Sequence, residues 1–75
     1  MNKIEFIKTI RKLRADFELN PDNWECKTIP EYLEAIENYA TDIQGYYENT
    51  NQNINADIGN WKVFADIMEG ASIYE

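Results

Sequence analysis

Acidic side chains are the residues whose types and spacing come closest to chemistry in this sequence. Glu34 and Glu37, and again Asp66 and Glu69, stand three residues apart, so each pair would share one face of a helix. General acid–base catalysis needs burial or coupling to shift a carboxyl pKa, and the polar surroundings of both pairs favour solvated faces instead. The chain has no histidine, and Cys26 is its single cysteine. Histidine-dependent nucleophilic catalysis and Cys/His zinc sites are therefore excluded, and we predict no enzyme activity, no cofactor and no metal.

An asparagine-rich segment carries oxygen ligands at alternate positions, as a calcium loop does. Asn49, Asn51 and Asn53 match the odd positions of such a loop. The sixth position should be glycine and is Ile54, and the twelfth should be a bidentate glutamate and is Asn60. We therefore predict a solvent-facing loop rather than a calcium site.

The tyrosines of the central segment are the strongest candidates for a binding surface. Tyrosine is enriched at the centres of protein interfaces, and acids around it would match a basic target. A tyrosine at the edge of a core, with its hydroxyl in water, is the alternative interpretation. The candidate partner surface consists of Tyr39, Asp42, Tyr46, Glu37 and Glu48.

Helices must position these residues, because apolar side chains recur every three or four residues and no strand pattern appears. We predict an all-α fold, a single domain 1–75 with helices at about 2–18, 29–48 and 58–74. Asn2 with Glu5, and Thr28 with Glu31, resemble capping boxes at the first two helix starts. The short turn around Pro21 predicts that these two helices are antiparallel neighbours, with the third packed against both.

The first helix has a narrow apolar stripe and a charged outer face. Its charges predict two ion pairs at i, i+4 spacing, Lys12–Asp16 and Arg14–Glu18. After this helix, Trp24 is expected to fold back over the core as a lid, the alternative being an exposed anchor for a partner. The stripe consists of Phe6, Ile10, Leu13 and Phe17, widened by Ile4 and Ile7.

The third helix is apolar on two faces. Trp61, Phe64, Ala65 and Met68 lie on one face. A helix of this kind is buried between neighbours or offers one side to another chain. The first helix has a stripe that could cover the second face. That face, the candidate self-association or inner packing face, consists of Val63, Ile67, Gly70 and Tyr74.

The net charge of −7 is unevenly distributed. Residues 1–18 carry a balance of +2 and residues 19–75 a balance of −9. An acidic surface argues against nucleic acid as a direct ligand and is compatible with a basic protein partner, although acidity also keeps small proteins soluble. The start of the chain reads as neither a signal peptide nor a membrane span, and the lone thiol points to the cytoplasm.

Several short motifs together resemble a known family. They are Trp24-Glu25, Thr28-Ile29-x-x-Tyr32-Leu33-x-Ala35-Ile36, Trp61-x-x-Phe64-Ala65-x-Ile67 and Ala71-x-x-Tyr74-Glu75. Over roughly residues 20–75 they look like a family of small, mainly bacterial and phage-borne domains of unknown function. The resemblance implies a compact acidic helical domain and transfers no catalytic residue, cofactor or substrate.

A looser likeness is to colicin-type immunity proteins, which are small, acidic and helical with a Tyr-Tyr pair beside acids. Here the pair is Tyr46-Tyr47, followed by Glu48 where that family has proline.

We therefore expect a cytoplasmic protein-binding module that acts by stoichiometric occupation, as an inhibitor or immunity-like protein of a basic partner. Two alternatives remain open at this point. One is a structural homodimer that uses the second apolar face of the third helix and has no separate ligand. The other is an acidic DNA mimic that blocks a nucleic-acid-binding protein.

Overall fold

Three α-helices make up most of residues 1–73, which are the residues described by the structure, a computed structural model. They are α1 (Lys3–Leu19), α2 (Ile29–Asn49) and α3 (Trp61–Ser72), and a short 3₁₀ turn, Pro21–Asn23, follows α1. The predicted all-α fold is confirmed, and no strand occurs within residues 1–73. No helix in this range has the length and apolar character that crossing a membrane requires.

Side-chain caps begin each helix, because the first backbone N–H groups of a helix lack partners within it. The α3 cap is Asn60, whose Oδ1 accepts from Val63 N at 2.9 Å. The helix therefore begins at Trp61 rather than near residue 58. Residues 55–58 form a turn, in which Ile58 N donates to Asn55 O at 3.1 Å and Asp57 N donates to Asn55 Oδ1 at 2.9 Å. The other two caps are the predicted Asn2 (to Glu5 N, 2.9 Å) and Thr28 (to Glu31 N, 3.3 Å).

The end of α2 explains one of the loop asparagines. Asn51 has φ of 57°, a left-handed conformation that asparagine tolerates better than most residues. Asn51 N donates to Glu48 O at 3.2 Å and Gln52 N to Tyr47 O at 2.8 Å. These two bonds form a Schellman motif, so Asn51 ends the helix.

The loop after α2 is partly buried, which differs from the predicted solvent-facing segment. The Gln44 side chain holds it from α2: Nε2 donates to Ile54 O at 3.0 Å, and Oε1 accepts from Ala56 N at 2.7 Å. Ile54 and Ala56 pack against the core as a result.

The helices are not arranged as predicted, because α3 lies between α1 and α2. It packs against both, whereas no Cα atom of α1 comes within 8 Å of one of α2. The prediction that α1 and α2 are neighbours is therefore wrong, although the prediction that α3 packs against both is confirmed. A helix that is apolar on two faces buries more surface in the middle than at the edge.

The core consists of two clusters along the α2–α3 contact. Ile43, Tyr47 and Val63 form one, and Cys26, Ala35 and Ala71 form the other. Tyr39 packs against both clusters and joins them.

On α1 the narrow stripe is half-buried and no residue is fully buried. Ile4 and Ile7 remain 62% and 45% exposed, so they do not widen the buried stripe as predicted.

Trp24 folds back over the core as predicted and is only 7% exposed. Its indole Nε1 donates to Asp16 Oδ2 at 2.7 Å, and its ring meets Phe17 edge-on at 5.3 Å. Asp16 also accepts from Asn20 Nδ2 at 3.3 Å. The predicted Lys12–Asp16 ion pair does not form between these two described residues. The predicted Arg14–Glu18 pair is not formed either.

Candidate functional site

A cleft of about 400 Å³ opens between α1 and α2, on one side of α3. It exists because α1 and α2 are held apart by α3 and do not close over it. The α1 wall is formed by Thr9, Lys12 and Leu13, and the α2 wall by Tyr39 and Tyr46. The floor is formed by Asp66, Glu69, Gly70 and Ser72 of α3 and by its C-cap, Ile73. We call this the Tyr39–Tyr46 cleft.

The α2 wall is aromatic. The Tyr39 and Tyr46 ring centroids are 6.4 Å apart, and Tyr46 lies 5.8 Å from Tyr47. Tyr46 is 45% exposed, whereas Tyr47 is fully buried. Tyr39 is half-buried, with its ring against Gly70, and burial raises the pKa of its hydroxyl. The Tyr46 ring is therefore exposed to solvent on one side and lies beside the buried Tyr47 ring on the other.

Asp66 is held in position by two neighbours. The Tyr47 hydroxyl donates to Asp66 Oδ2 at 2.7 Å, and Lys62 Nζ lies 2.8 Å from the same oxygen. Lys62 Nζ also stands 5.8 Å from the centroid of the Tyr47 ring. Burial and the hydrogen bond to Asp66 raise the pKa of Tyr47, which keeps its phenolic proton. The carboxylate is thus fixed by a neutral donor and a cation.

Glu69 and Lys12 are the two charged residues of the cleft whose side chains have no ion-pair or hydrogen-bond partner within residues 1–73. Both side chains are exposed, and neither forms an ion pair or side-chain hydrogen bond with a residue in the range 1–73. Glu69 lies on the floor and Lys12 on the α1 wall. The cleft therefore combines exposed aromatic surface with a carboxylate that a ligand could pair.

The structure divides the predicted partner surface into two parts. Tyr39 and Tyr46 line the cleft, and Asp42 lies one helical turn from each on the same side of α2. Glu37 and Glu48 lie roughly on the opposite side of α2, because each residue turns the helix by about 100°. They do not share a surface with the tyrosines.

The second face of α3 is packed inside the molecule. Val63 is 2% exposed beside Ile43 and Tyr47, Gly70 is buried, and Ile67 is half-buried. The helix that covers this face is α2 rather than the predicted α1. Tyr74 of the predicted set lies outside the described residues.

The two acidic residues of the cleft were not predicted to belong to the site. Asp66 and Glu69 are predicted from the sequence to be a solvated acidic pair, and the structure places them on the floor of the cleft whose α2 wall carries Tyr39 and Tyr46. No sequence signal indicates this, because the residues are about twenty positions away from Tyr46 along the chain and meet only through the packing of α3 on α2.

Cys26 has the surroundings of a structural thiol. It is 7% exposed, and burial raises its pKa, as do the nearby carboxylates of Glu31, Glu25 and Glu34. A protonated, buried thiol is a weak nucleophile and a poor metal ligand. Within residues 1–73 no three acidic or cysteine side chains come together as potential metal ligands.

The chemistry that this cleft supports is recognition of a cation. An aromatic wall attracts an ammonium or guanidinium group through the ring face, and a carboxylate completes the contact with a charge-assisted hydrogen bond.

Comparison with known proteins identifies the family of the chain but gives no information about the cleft. No curated protein and no solved structure matches the chain. The model of a family of unknown function (DUF7660) matches residues 2–75. The expected membership of an uncharacterised family is thereby confirmed, whereas the four motifs and the likeness to immunity proteins stay predictions. The chain belongs to this family of unknown function, DUF7660.

Proposed function

We propose that this chain is a small acidic protein-binding module that takes a basic side chain of its partner into the Tyr39–Tyr46 cleft. One observation carries the proposal: Tyr46 is 45% exposed in a cleft whose floor holds Asp66 and Glu69. An arginine is the side chain that best fits this combination, because its planar guanidinium both stacks on rings and pairs with carboxylates.

The charge of the whole molecule supports the same partner chemistry. The net charge is −7, and the segment that contains the tyrosines and both floor carboxylates has a balance of −9. A field of this sign raises the association rate with a basic protein. Lys12 on the opposite wall would restrict where the partner's cation can lie, since like charges repel.

The mode of action that we propose is occupation of the partner's surface. The protein would act as a stoichiometric inhibitor or an immunity-like protein, without turnover of a substrate. We also propose a cytoplasmic location, supported by the single buried thiol, and a bacterial or phage source, in line with the family resemblance.

The test compares the wild-type chain with two variants that remain folded. The site variant carries Tyr46→Ala and Glu69→Lys, two exposed positions. We avoid Tyr39 because its ring packs against both core clusters. The control is Glu37→Lys, which makes the same change in charge on the far side of α2.

The measurement is affinity capture from lysate at matched salt, followed by calorimetry with the purified captured protein. We expect the wild type and the control to bind one basic protein in a one-to-one ratio, and the site variant to bind at least about tenfold more weakly. Equal binding by all three would show that the cleft is not the site. Equal loss in both variants would mean that net charge alone drives capture.

A further inference from the structure

The Tyr39–Tyr46 cleft carries unpaired charges of both signs on different sides. Lys12 is on the α1 wall and Glu69 on the α3 floor, and both side chains are exposed. Neither forms an ion pair within residues 1–73. A ligand that fills the cleft therefore meets a cation on one wall and a carboxylate on the floor. A ligand with one charge of each sign is better compensated there than a simple cation.

The floor has a second carboxylate, but Asp66 is already compensated. Its Oδ2 accepts from the Tyr47 hydroxyl at 2.7 Å and lies 2.8 Å from Lys62 Nζ. Glu69 has no such neighbour, so its charge is available to the cation of a ligand. Tyr46 lines the same cavity and is 45% exposed, and its ring provides a face on which a planar guanidinium can stack.

The size of the cleft fits one amino-acid residue. A sphere with the cleft's volume of about 400 Å³ is about 9 Å across, near the small end of ligand sites. In an extended arginine the carboxylate carbon and the guanidinium carbon are about 7.5 Å apart, since six bonds separate them and each advances the chain by roughly 1.25 Å. One arginine can therefore place its two charged groups at opposite ends of the cavity.

The charge of Lys12 restricts the form in which arginine can bind. A carboxylate is compensated there by a charge-assisted hydrogen bond, whereas a neutral amide is not. A free amino acid carries an ammonium on the same carbon as its carboxylate, and Lys12 would repel that ammonium. At the end of a polypeptide the corresponding nitrogen belongs to a neutral amide, and the carboxylate is retained. The last residue of a chain is therefore the form of arginine that best matches the charges of the cleft.

We propose that the Tyr39–Tyr46 cleft binds an arginine at the carboxyl terminus of the partner protein. The guanidinium stacks on Tyr46 and pairs with Glu69, and the α-carboxylate accepts a hydrogen bond from Lys12 Nζ. This inference rests on the proposed function and specifies which part of the partner enters the cleft. It makes the site selective, because an arginine within a chain has no α-carboxylate for Lys12 to pair with.

Titration of the full chain with short peptides, followed by two-dimensional NMR at low salt, tests this inference. The probe is acetyl-Gly-Gly-Arg with a free carboxyl terminus, at up to about 10 mM. One control is the same peptide with a carboxyl-terminal amide. The other is the peptide extended by one glycine, which keeps the net charge and moves the carboxylate by about 3.5 Å. We expect the probe to bind at least about fivefold more tightly than either control.

Two variants that lose the same charge identify the partner of the carboxylate. Lys12→Gln should bind all three peptides as weakly as the wild type binds the amide, because the cation that faces the carboxylate is absent. Arg14→Gln removes the same charge from the opposite flank of α1 and should keep the preference for the probe. Glu69→Gln should weaken all three peptides alike, by about threefold or more. All three positions are exposed, so circular dichroism should not change.

Equal binding of the three peptides by the wild type would overturn this proposal. If Glu69→Gln still weakened them, recognition of a cation, and with it the proposed function, would stand. Loss of the preference in Arg14→Gln as well as in Lys12→Gln would also overturn it, since net charge would then explain the preference. So would absence of binding by every peptide, and the capture experiment would then judge the proposed function by itself. If Lys12→Gln does not fold, the comparison of the three peptides on the wild type decides alone.

Discussion

At the scale of single residues, the contact between α2 and α3 depends on a missing side chain. The Tyr39 ring occupies the space into which a Cβ on Gly70 would project. Tyr39 also packs against both core clusters and lines the cleft. The small size of Gly70 therefore positions the aromatic wall of the proposed site.

Replacing Gly70 by alanine should destabilise the fold by about 1–3 kcal/mol, because Tyr39 or the backbone must move to admit the methyl group. The matched control is Gly45→Ala on α2, where a Cβ meets no atom within 4 Å. That change should stabilise the helix by about 0.5–1 kcal/mol, since alanine loses less backbone entropy. Urea denaturation followed by circular dichroism measures both. Similar effects of the two substitutions would contradict this account of Gly70.

At the scale of helices, α3 organises the molecule by making two contacts. Its Val63 side packs on α2, and its Trp61 side meets α1, where the Trp61 and Phe6 ring centroids are 5.4 Å apart. The α2 contact is the drier one, because Ile43, Tyr47 and Val63 are buried there, whereas no residue of α1 is buried. We therefore expect the α2–α3 pair to supply most of the stability.

Ile67→Glu tests that contact, because it places a charge against the Ile43, Tyr47 and Val63 cluster. Burying an unpaired carboxylate costs several kcal/mol, and a small domain has only about 5 kcal/mol or somewhat more to lose. The variant should lose its helical circular dichroism at room temperature. Ile58→Glu makes the same change at a side chain that is 63% exposed, and it should stay folded. A folded Ile67→Glu variant would show that the face is not needed for the fold.

At the scale of the whole molecule, the folded state favours neutral tyrosines. The Tyr32 hydroxyl donates to Met68 O at 2.8 Å, and burial raises the pKa of Tyr32 from 10.0 to about 12. The Tyr47 hydroxyl donates to Asp66, and its pKa is raised in the same direction. Both bonds tie α2 to α3, so the protonation state of these phenols is coupled to the main helix contact.

The sign of the resulting pH dependence follows from linkage. Where the unfolded chain has lost the phenolic proton and the folded chain retains it, raising the pH favours unfolding. Stability from Tyr32 should be complete below pH 10 and decline between about 10 and 12. Urea denaturation at a series of pH values measures this decline. Tyr32→Phe should unfold more easily at neutral pH, by about 1 kcal/mol for the lost hydrogen bond, and show a shallower decline. A decline of equal steepness in this variant would contradict the role of Tyr32.

The sequence by itself determined the local features of this protein. The caps at Asn2 and Thr28 are contacts over three residues, so the helix starts could be predicted before any packing was known. The composition, with no histidine and one cysteine, was likewise known before any packing. The two apolar faces of α3 were also visible as a periodicity.

Only the tertiary structure decided which helix each face of α3 meets and which residues form a site. The periodicity of apolar residues shows that a helix face is apolar, but not which other helix covers that face. In this protein α2 covers the Val63 face, and α3 separates α1 from α2. The cleft follows from that separation, since Tyr46 lines the same cavity as Asp66 and Glu69 only after α3 has packed between the other two helices. Such contacts depend on side-chain size, such as the missing Cβ at Gly70, across distant parts of the chain.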